Sequence, residues 1–230
     1  MRLLRSAEMT LRDLLGRGGV LVLLVLVPMV FYVARRSDFS GQAIRFACMG
    51  LAWAVSTVAL FSVISSRRGL EPRLRLAGYS AATLYLGRLF ALVTAAALVG
   101  GLYALIIHLD QDVVHGWAVA VALVASAVLS VPLGMVVGSL APRDLEGMLV
   151  LIMVVGLQMI IDPGQSAARA LPLWSTRELI NYGVTGAGDL QAAWLHAAGY
   201  GLGMVLVGLA IAGIQLRRRR HLVIEPAPSR

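Results

Sequence analysis

The sequence predicts an all-α membrane protein with six transmembrane helices. An N-terminal interfacial amphipathic helix precedes them, and a re-entrant outer segment precedes the sixth. Three observations carry that prediction. Of 230 residues, 59% are apolar and only 14% charged, with a positive mean hydropathy, a balance foreign to soluble domains. Six apolar runs, near 18–34, 44–64, 86–107, 117–140, 145–161 and 194–216, approach or exceed the roughly 20 helical residues that cross a bilayer. Charge collects at the ends of those runs and spares their middles. The runs take up most of the chain, so 1–230 is read as one membrane domain.

Each element follows in order. In 1–17, Leu3, Leu4, Ala7, Leu11, Leu14 and Leu15 share about a third of a helical wheel, opposite Arg2, Arg5, Arg12 and Asp13. That pattern predicts a helix lying on the membrane surface before a glycine-rich turn at 16–19. The first apolar run has no small-residue cleavage site before Arg35-Arg36, so it is read as a retained span. Between the second and third runs, 66–80 holds four arginines and one glutamate within nine residues, a density that must stay in water. Leu70, Leu74 and Ala77 recur at i, i+4 and i+7. Pro72 suits a first helical turn and Gly78 a helix stop, so this loop is read as a short amphipathic docking helix. Segment 162–193 is predicted to lie on the outer face, loosened by Gly164, Gly183, Gly186 and Gly188, and 217–230 is a basic tail.

The net charge of +8 comes from 20 arginines and no lysine. Arg2, Arg5, Arg12, Arg17, Arg67, Arg68, Arg73, Arg75, Arg88, Arg143 and Arg217 to Arg220 all fall on one face of a six-span topology. The positive-inside rule makes that face cytoplasmic, with both termini in. This distribution is that of membrane flanks, so no nucleic-acid partner is expected. The opposite face holds Arg35, Arg36, Arg45, Arg169 and Arg177 alongside acidic residues, and the three arginines of the first loop, Arg35, Arg36 and Arg45, are the exception to the asymmetry. The arginine-only, Ala/Val/Gly-rich usage points to a bacterial inner membrane.

Absences narrow the chemistry. No Asp, Glu, Lys or Arg sits mid-span, which argues against ion-coupled transport and voltage sensing. Without lysine there is no phosphate-binding loop of the Walker type. No His/Cys cluster has metal spacing, so neither metal nor cofactor is expected in this chain. An intramembrane serine protease would need a pair such as Ser139 and His196, which fall at opposite ends of their spans. The lone Cys48 makes no intrachain disulfide. Spans 3, 4 and 6 are rich in Gly and Ala, the mark of close helix packing. Ser126, Ser130 and Gln158 are the polar span positions expected to face a cargo route.

The order of these elements resembles the membrane subunit of ABC-2 type exporters. Gly69, Leu74, Leu76 and Gly87-Arg88 match positions of that family's pattern after its second span. Gly78-Tyr79 stands where the family has a small-Pro pair. The stretches Asp162-Pro163-Gly164 and Leu171-Pro172-Leu173-Trp174 are similar to its turn and Leu-Pro-x-Trp segment. The family's acidic residue before the glycine is missing here, which leaves Glu71 as the loop's only carboxylate.

The resemblance implies a permease working with a separate ATPase subunit that binds ATP and Mg. Residues Arg68, Gly69, Leu70, Glu71, Arg73, Leu74, Arg75, Gly78, Tyr79 and Arg88 would form its docking site, the coupling helix. A second permease subunit, identical or a sister chain, would complete the pathway. The cargo would be hydrophobic or amphipathic: a drug, an antibiotic or a membrane lipid. The alternatives are a haem-handling permease of cytochrome c maturation and a non-transporting assembly or immunity protein.

Overall fold

Nine α-helices and one short 3-10 helix make up the fold in a computed structural model that describes residues 2–38, 40–68, 70–161 and 165–219. The helices are α1 (Arg2–Leu15), α2 (Gly18–Val33), α3 (Ser40–Arg68), α4 (Leu70–Leu76), α5 (Ala81–Asp110), α6 (Gly116–Leu140), α7 (Asp144–Ile160), α8 (Trp174–Thr185) and α9 (Leu190–Arg219). The 3-10 turn is Ser166–Ala170, and no strand occurs among the described residues. Four helices, α3, α5, α6 and α9, are long and apolar enough to cross a membrane, and α1 with α2, bent by 76°, makes a fifth candidate. Dozens of large apolar side chains, among them Leu98, Leu109, Met153, Ile160 and Leu195, lie exposed. A soluble monomer rarely tolerates such a surface, and it is compatible with a lipid-facing one.

Local rules account for the helix ends. Ser80 caps α5, its hydroxyl accepting from the Thr83 N–H at 3.1 Å. Asp144 and Glu146 occupy the first turn of α7, where the helix dipole favours negative charge. Successive long helices alternate in direction. The C-terminal ends of α3, α6 and α9 meet beside α4, while the ends of α2, α5 and α7 lie at the opposite pole with α8. Two poles follow, called here the α4 pole and the α8 pole.

The centre is the pairing of α3 with α6. Gly134 and Gly138 of α6 sit four apart against Ser56 and Leu60 of α3, also four apart. A Cβ at Gly134 would lie 2.8 Å from the Ser56 backbone carbonyl carbon and Cα, with the carbonyl oxygen closer still. Only glycine permits that approach, the small-xxx-small geometry of tightly crossed membrane helices. Two apolar clusters flank the crossing, one around Tyr103, Ile44 and Leu123, the other around Val58, Leu92 and Met135.

Two expectations need correcting. The glycines of span 6 pack closely on one face only: a Cβ at Gly208 would press on the Tyr85 ring and one at Gly201 would lie 3.0 Å from Leu129 Cδ2, whereas at Gly199, Gly203 and Gly213 it would meet nothing within 4 Å, and in the most apolar stretch of α9 only 6% of the residues are buried. Nor do Gly183 and Gly188 loosen their segment. A Cβ at Gly183 would press to 2.6 Å against Val119 Cγ2, so this glycine lets α8 seat on α6, and the Gly183 carbonyl accepts from His115 N–H at 2.8 Å. Asp162, Pro163 and Gly164 lie outside the described residues.

Candidate functional site

The short helix α4 forms as the loop's punctuation dictates. Pro72 sits in its first turn, where no N–H is required. At its end Gly78 takes a left-handed φ of 81°. Its N–H reaches Arg75 O at 3.0 Å while Tyr79 N–H reaches Leu74 O at 3.1 Å, the paired closing bonds of a Schellman motif. The chain then turns straight into Ser80 and α5.

Glu71 fastens α4 to the bundle. Its carboxylate accepts from Arg75 one turn on and stands 4.0 Å from the Arg88 guanidinium of α5. All three side chains are largely shielded, with 15% of Glu71 and 11% of Arg88 exposed. Leu74 points inward too, lining a small cavity with Ser6, Met9 and Thr10 of α1, Ser66 of α3 and Leu84 of α5. The outward face therefore consists of Pro72, Arg73, Leu76 and Ala77, with Leu76 90% exposed. Gly69 lies outside the described residues, as do the side chains of Arg68 and Leu70.

Neighbouring elements brace this corner. α1 lies across α5 with Ser6, Ala7 and Leu14 buried, while Leu3, Leu4 and Leu15 stay exposed. A Cβ at Gly87 would meet Ser6 Cβ at 2.7 Å, so glycine at that position admits the crossing. Arg12 pairs with Glu8 and Arg17 with Asp13 on the outward side. Arg67, at the end of α3, donates to the Ser139 carbonyl at 3.0 Å and to the Gln215 side chain of α9. Gln215 Nε2 donates to the same carbonyl at 2.9 Å. A cation and an amide thus satisfy the open C-terminal carbonyls of α6, where the helix dipole favours positive charge.

At the α8 pole Arg35 and Arg36, two of the three arginines expected on the outer side, find partners. Arg36 donates to Asp110, which also accepts from Tyr32, tying α2 to α5. Arg35 pairs with Asp38 at 3.0 Å and lies over the Phe46 ring. This pairing offsets the apparent breach of charge asymmetry. Ser126 and Ser130 are fully buried within the chain, donating to Cys48 O at 2.7 Å and Ser126 O at 2.6 Å. They line no surface in this conformation, unlike the expectation that they face a cargo route. Gln158 is buried between α7 and α8, its Oε1 accepting from Leu173 N–H at 2.8 Å.

His196 contacts the Arg169 carbonyl at 2.9 Å, whereas Gln215, 19 residues later on α9, meets Ser139. That spacing puts about 28 Å between the two ends, so Ser139 and His196 form no nucleophile–base pair. No group of three or more His, Cys, Asp or Glu is placed to hold a metal among the described residues. The exposure of Leu76 and the contacts of Arg67 with the end of α6 were not legible in sequence, where Leu76 only matched a leucine of the family pattern and Arg67 was one of the flanking arginines. Fold and corner together define an all-helical chain compatible with a membrane protein, with a braced polar elbow at one pole. No protein-family model matches the chain, and no curated protein matches it.

Proposed function

We propose that this chain is the permease subunit of an ATP-driven exporter of ABC-2 type in a bacterial inner membrane. On this reading α2, α3, α5, α6, α7 and α9 are six spans, α8 is a re-entrant element on the outer side, and both termini are cytoplasmic. α2 and α7, with 16 and 17 residues, are short spans, which membranes accommodate by local thinning. A separate ATPase subunit, carrying ATP and Mg, docks on α4. The observation that carries the reading is the elbow itself. A seven-residue helix hangs between the two long helices α3 and α5, is tied to α5 through Glu71 and Arg88, and presents an exposed Leu76 beside Arg73. A lever of that construction transmits a push on α4 into two spans at once. The open glycine face of α9 supports a second permease subunit against it, homodimeric or heterodimeric. The cargo is a hydrophobic or amphipathic molecule.

The test is affinity purification of the full chain from its native membrane. Leu76→Asp should lose a co-purifying ATPase subunit while remaining membrane-inserted with an unchanged thermal midpoint. Leu74→Asp should instead lower the midpoint, because it buries a carboxylate against α1 and α5. Retention of the ATPase by the Leu76→Asp variant overturns the docking assignment.

A further inference from the structure

Five helices converge on one narrow cavity at the α4 pole. It measures about 20 Å³ and is lined by Arg67 of α3, Glu71 of α4, Tyr85 and Arg88 of α5, Ser139 of α6 and Gln215 of α9, with apolar neighbours. A space of that volume holds roughly one water molecule, so groups on its opposite walls lie within a side chain's reach of each other. Glu71 and Arg88 also line the adjoining small cavity beside Ser6 and Thr10 of α1. These two residues form the partition between an α1 side and an α9 side.

Charge is divided unevenly across that partition. Glu71 makes its close contact with Arg75, one turn on in the same helix, and only a 4.0 Å contact with Arg88. Moved away from the bundle, α4 would carry Glu71 off still paired. Arg88 would then be stranded. Only 11% of its side chain is exposed, Glu71 is its ion-pair partner, and its Nε is buried without a partner. A buried cation without a carboxylate is costly unless other acceptors replace it. The α9 side supplies them. Gln215 Oε1 accepts from Arg67, which engages one of its two lone pairs. The same amide sits beside the C-terminal carbonyls of α6, where the helix dipole favours positive charge. On the α1 side the Thr10 hydroxyl already donates to the Ser6 carbonyl at 3.0 Å.

We propose that Arg88 is a two-position switch arm. With α4 seated it faces Glu71; with α4 drawn away it turns to Gln215 and competes with Arg67 for the same amide. Two guanidiniums at one amide oxygen repel, so the arrival of Arg88 loosens Arg67 and parts the end of α3 from the end of α9. Displacement of a seven-residue helix is thereby converted into separation of two long ones. The switch rests on the reading that a partner moves α4, but it operates in the isolated chain, so its failure would leave the docking assignment standing.

The test is a set of double-mutant cycles on the purified full chain, read from unfolding by dodecyl sulfate in mixed micelles. Arg88→Met and Gln215→Leu are combined first in the native background and then in Glu71→Gln, which withdraws the carboxylate charge. Their coupling should change the unfolding constant by under about twofold with Glu71 present and by about tenfold without it, the latter within the span of groups in contact. The cycle of Arg67→Met with Gln215→Leu should move the opposite way, its coupling falling in Glu71→Gln. Equal Arg88–Gln215 coupling in both backgrounds overturns the proposal, as does none in either. Coupling of Arg88→Met to Thr10→Val instead would send the arm to α1 and overturn it too.

A second readout does not depend on Gln215 variants folding. In a Cys48→Ala chain, Ser139→Cys keeps the α6 carbonyl and puts a thiol at a position that is 9% exposed. Glu71→Gln should speed its reaction with a soluble maleimide about fivefold, by opening that end of the bundle. Adding Arg88→Met should restore the slow rate, because no arm remains to dislodge Arg67. Were Glu71 merely holding α4 in place, the second substitution would leave labelling fast. Unchanged labelling in Glu71→Gln, or fast labelling that persists with Arg88→Met, overturns the switch.

Discussion

Replacing Glu71 by Gln tests whether a single carboxylate holds α4 in place. The substitution keeps size and an acceptor oxygen but withdraws the charge, leaving Arg75 and Arg88 without a carboxylate among the described residues. The Nε atoms of both are already buried without partners, so with α4 seated neither guanidinium has a spare bond to fall back on. Breaking a buried ion pair from one side costs about 3–5 kcal/mol. Two features lower that here: the Arg88 contact is long, at 4.0 Å, and Glu71 keeps 15% of its side chain exposed. A loss of about 2–3 kcal/mol is the expected result. It can be read from unfolding of the full chain in mixed micelles titrated with dodecyl sulfate, alongside Arg88→Gln and the double variant. The double should cost about 1–2 kcal/mol less than the sum of the singles, the coupling typical of groups in contact. If Glu71→Gln costs under about 0.5 kcal/mol, as an exposed pair would, or if the cycle shows no coupling, then α4 is not held by this carboxylate.

Two further predictions concern packing and topology. Gly134→Ala should destabilise the fold by about 1–3 kcal/mol, because the new methyl meets the Ser56 backbone and α6 must move off α3. Gly203→Ala, whose Cβ meets nothing within 4 Å, should be neutral or slightly stabilising, up to about 1 kcal/mol from helix propensity. Equal effects in the same unfolding assay would sink the close-crossing argument. In a Cys48→Ala chain, Asp112→Cys should react with an impermeant maleimide in intact cells, and Ala77→Cys only after permeabilisation. Labelling of both from outside would place the two poles on one side of the membrane and remove the basis for a cytoplasmic α4.

Much of the secondary structure was legible because it rests on local chemistry. The six apolar runs coincide with helices α2, α3, α5, α6, α7 and α9. Pro72 and Gly78 marked the beginning and end of α4 through proline's missing donor and glycine's access to positive φ. Span length was harder to read, since hydropathy blurs by several residues at each end. Four helices and one bent pair are long and apolar enough to cross a membrane, whereas α2 and α7 have only 16 and 17 residues. The docking loop shows the same division. Its helical period grouped Leu70, Leu74 and Ala77, yet Leu74 turns inward and Ala77 outward, while the Leu70 side chain lies outside the described residues. Which face turns inward depends on where Glu71 finds Arg88, seventeen residues on in the next helix, α5. No local pattern contains that pairing.

The sequence by itself determined the class: an apolar chain built from helices, arginine at the helix ends, and a water-exposed elbow between α3 and α5. Hydrophobic periodicity and turn chemistry act within a few residues, so they can be read along the chain. Only the tertiary structure decided which glycines are working contacts, with Gly134 against Ser56 and Gly199 against nothing. It also brought Arg45, Gln158 and Arg177 from three helices around one cavity, and turned Leu76 rather than Leu74 outward. Those outcomes depend on how separate helices cross, and crossing is set by side chains far apart in the chain meeting in space.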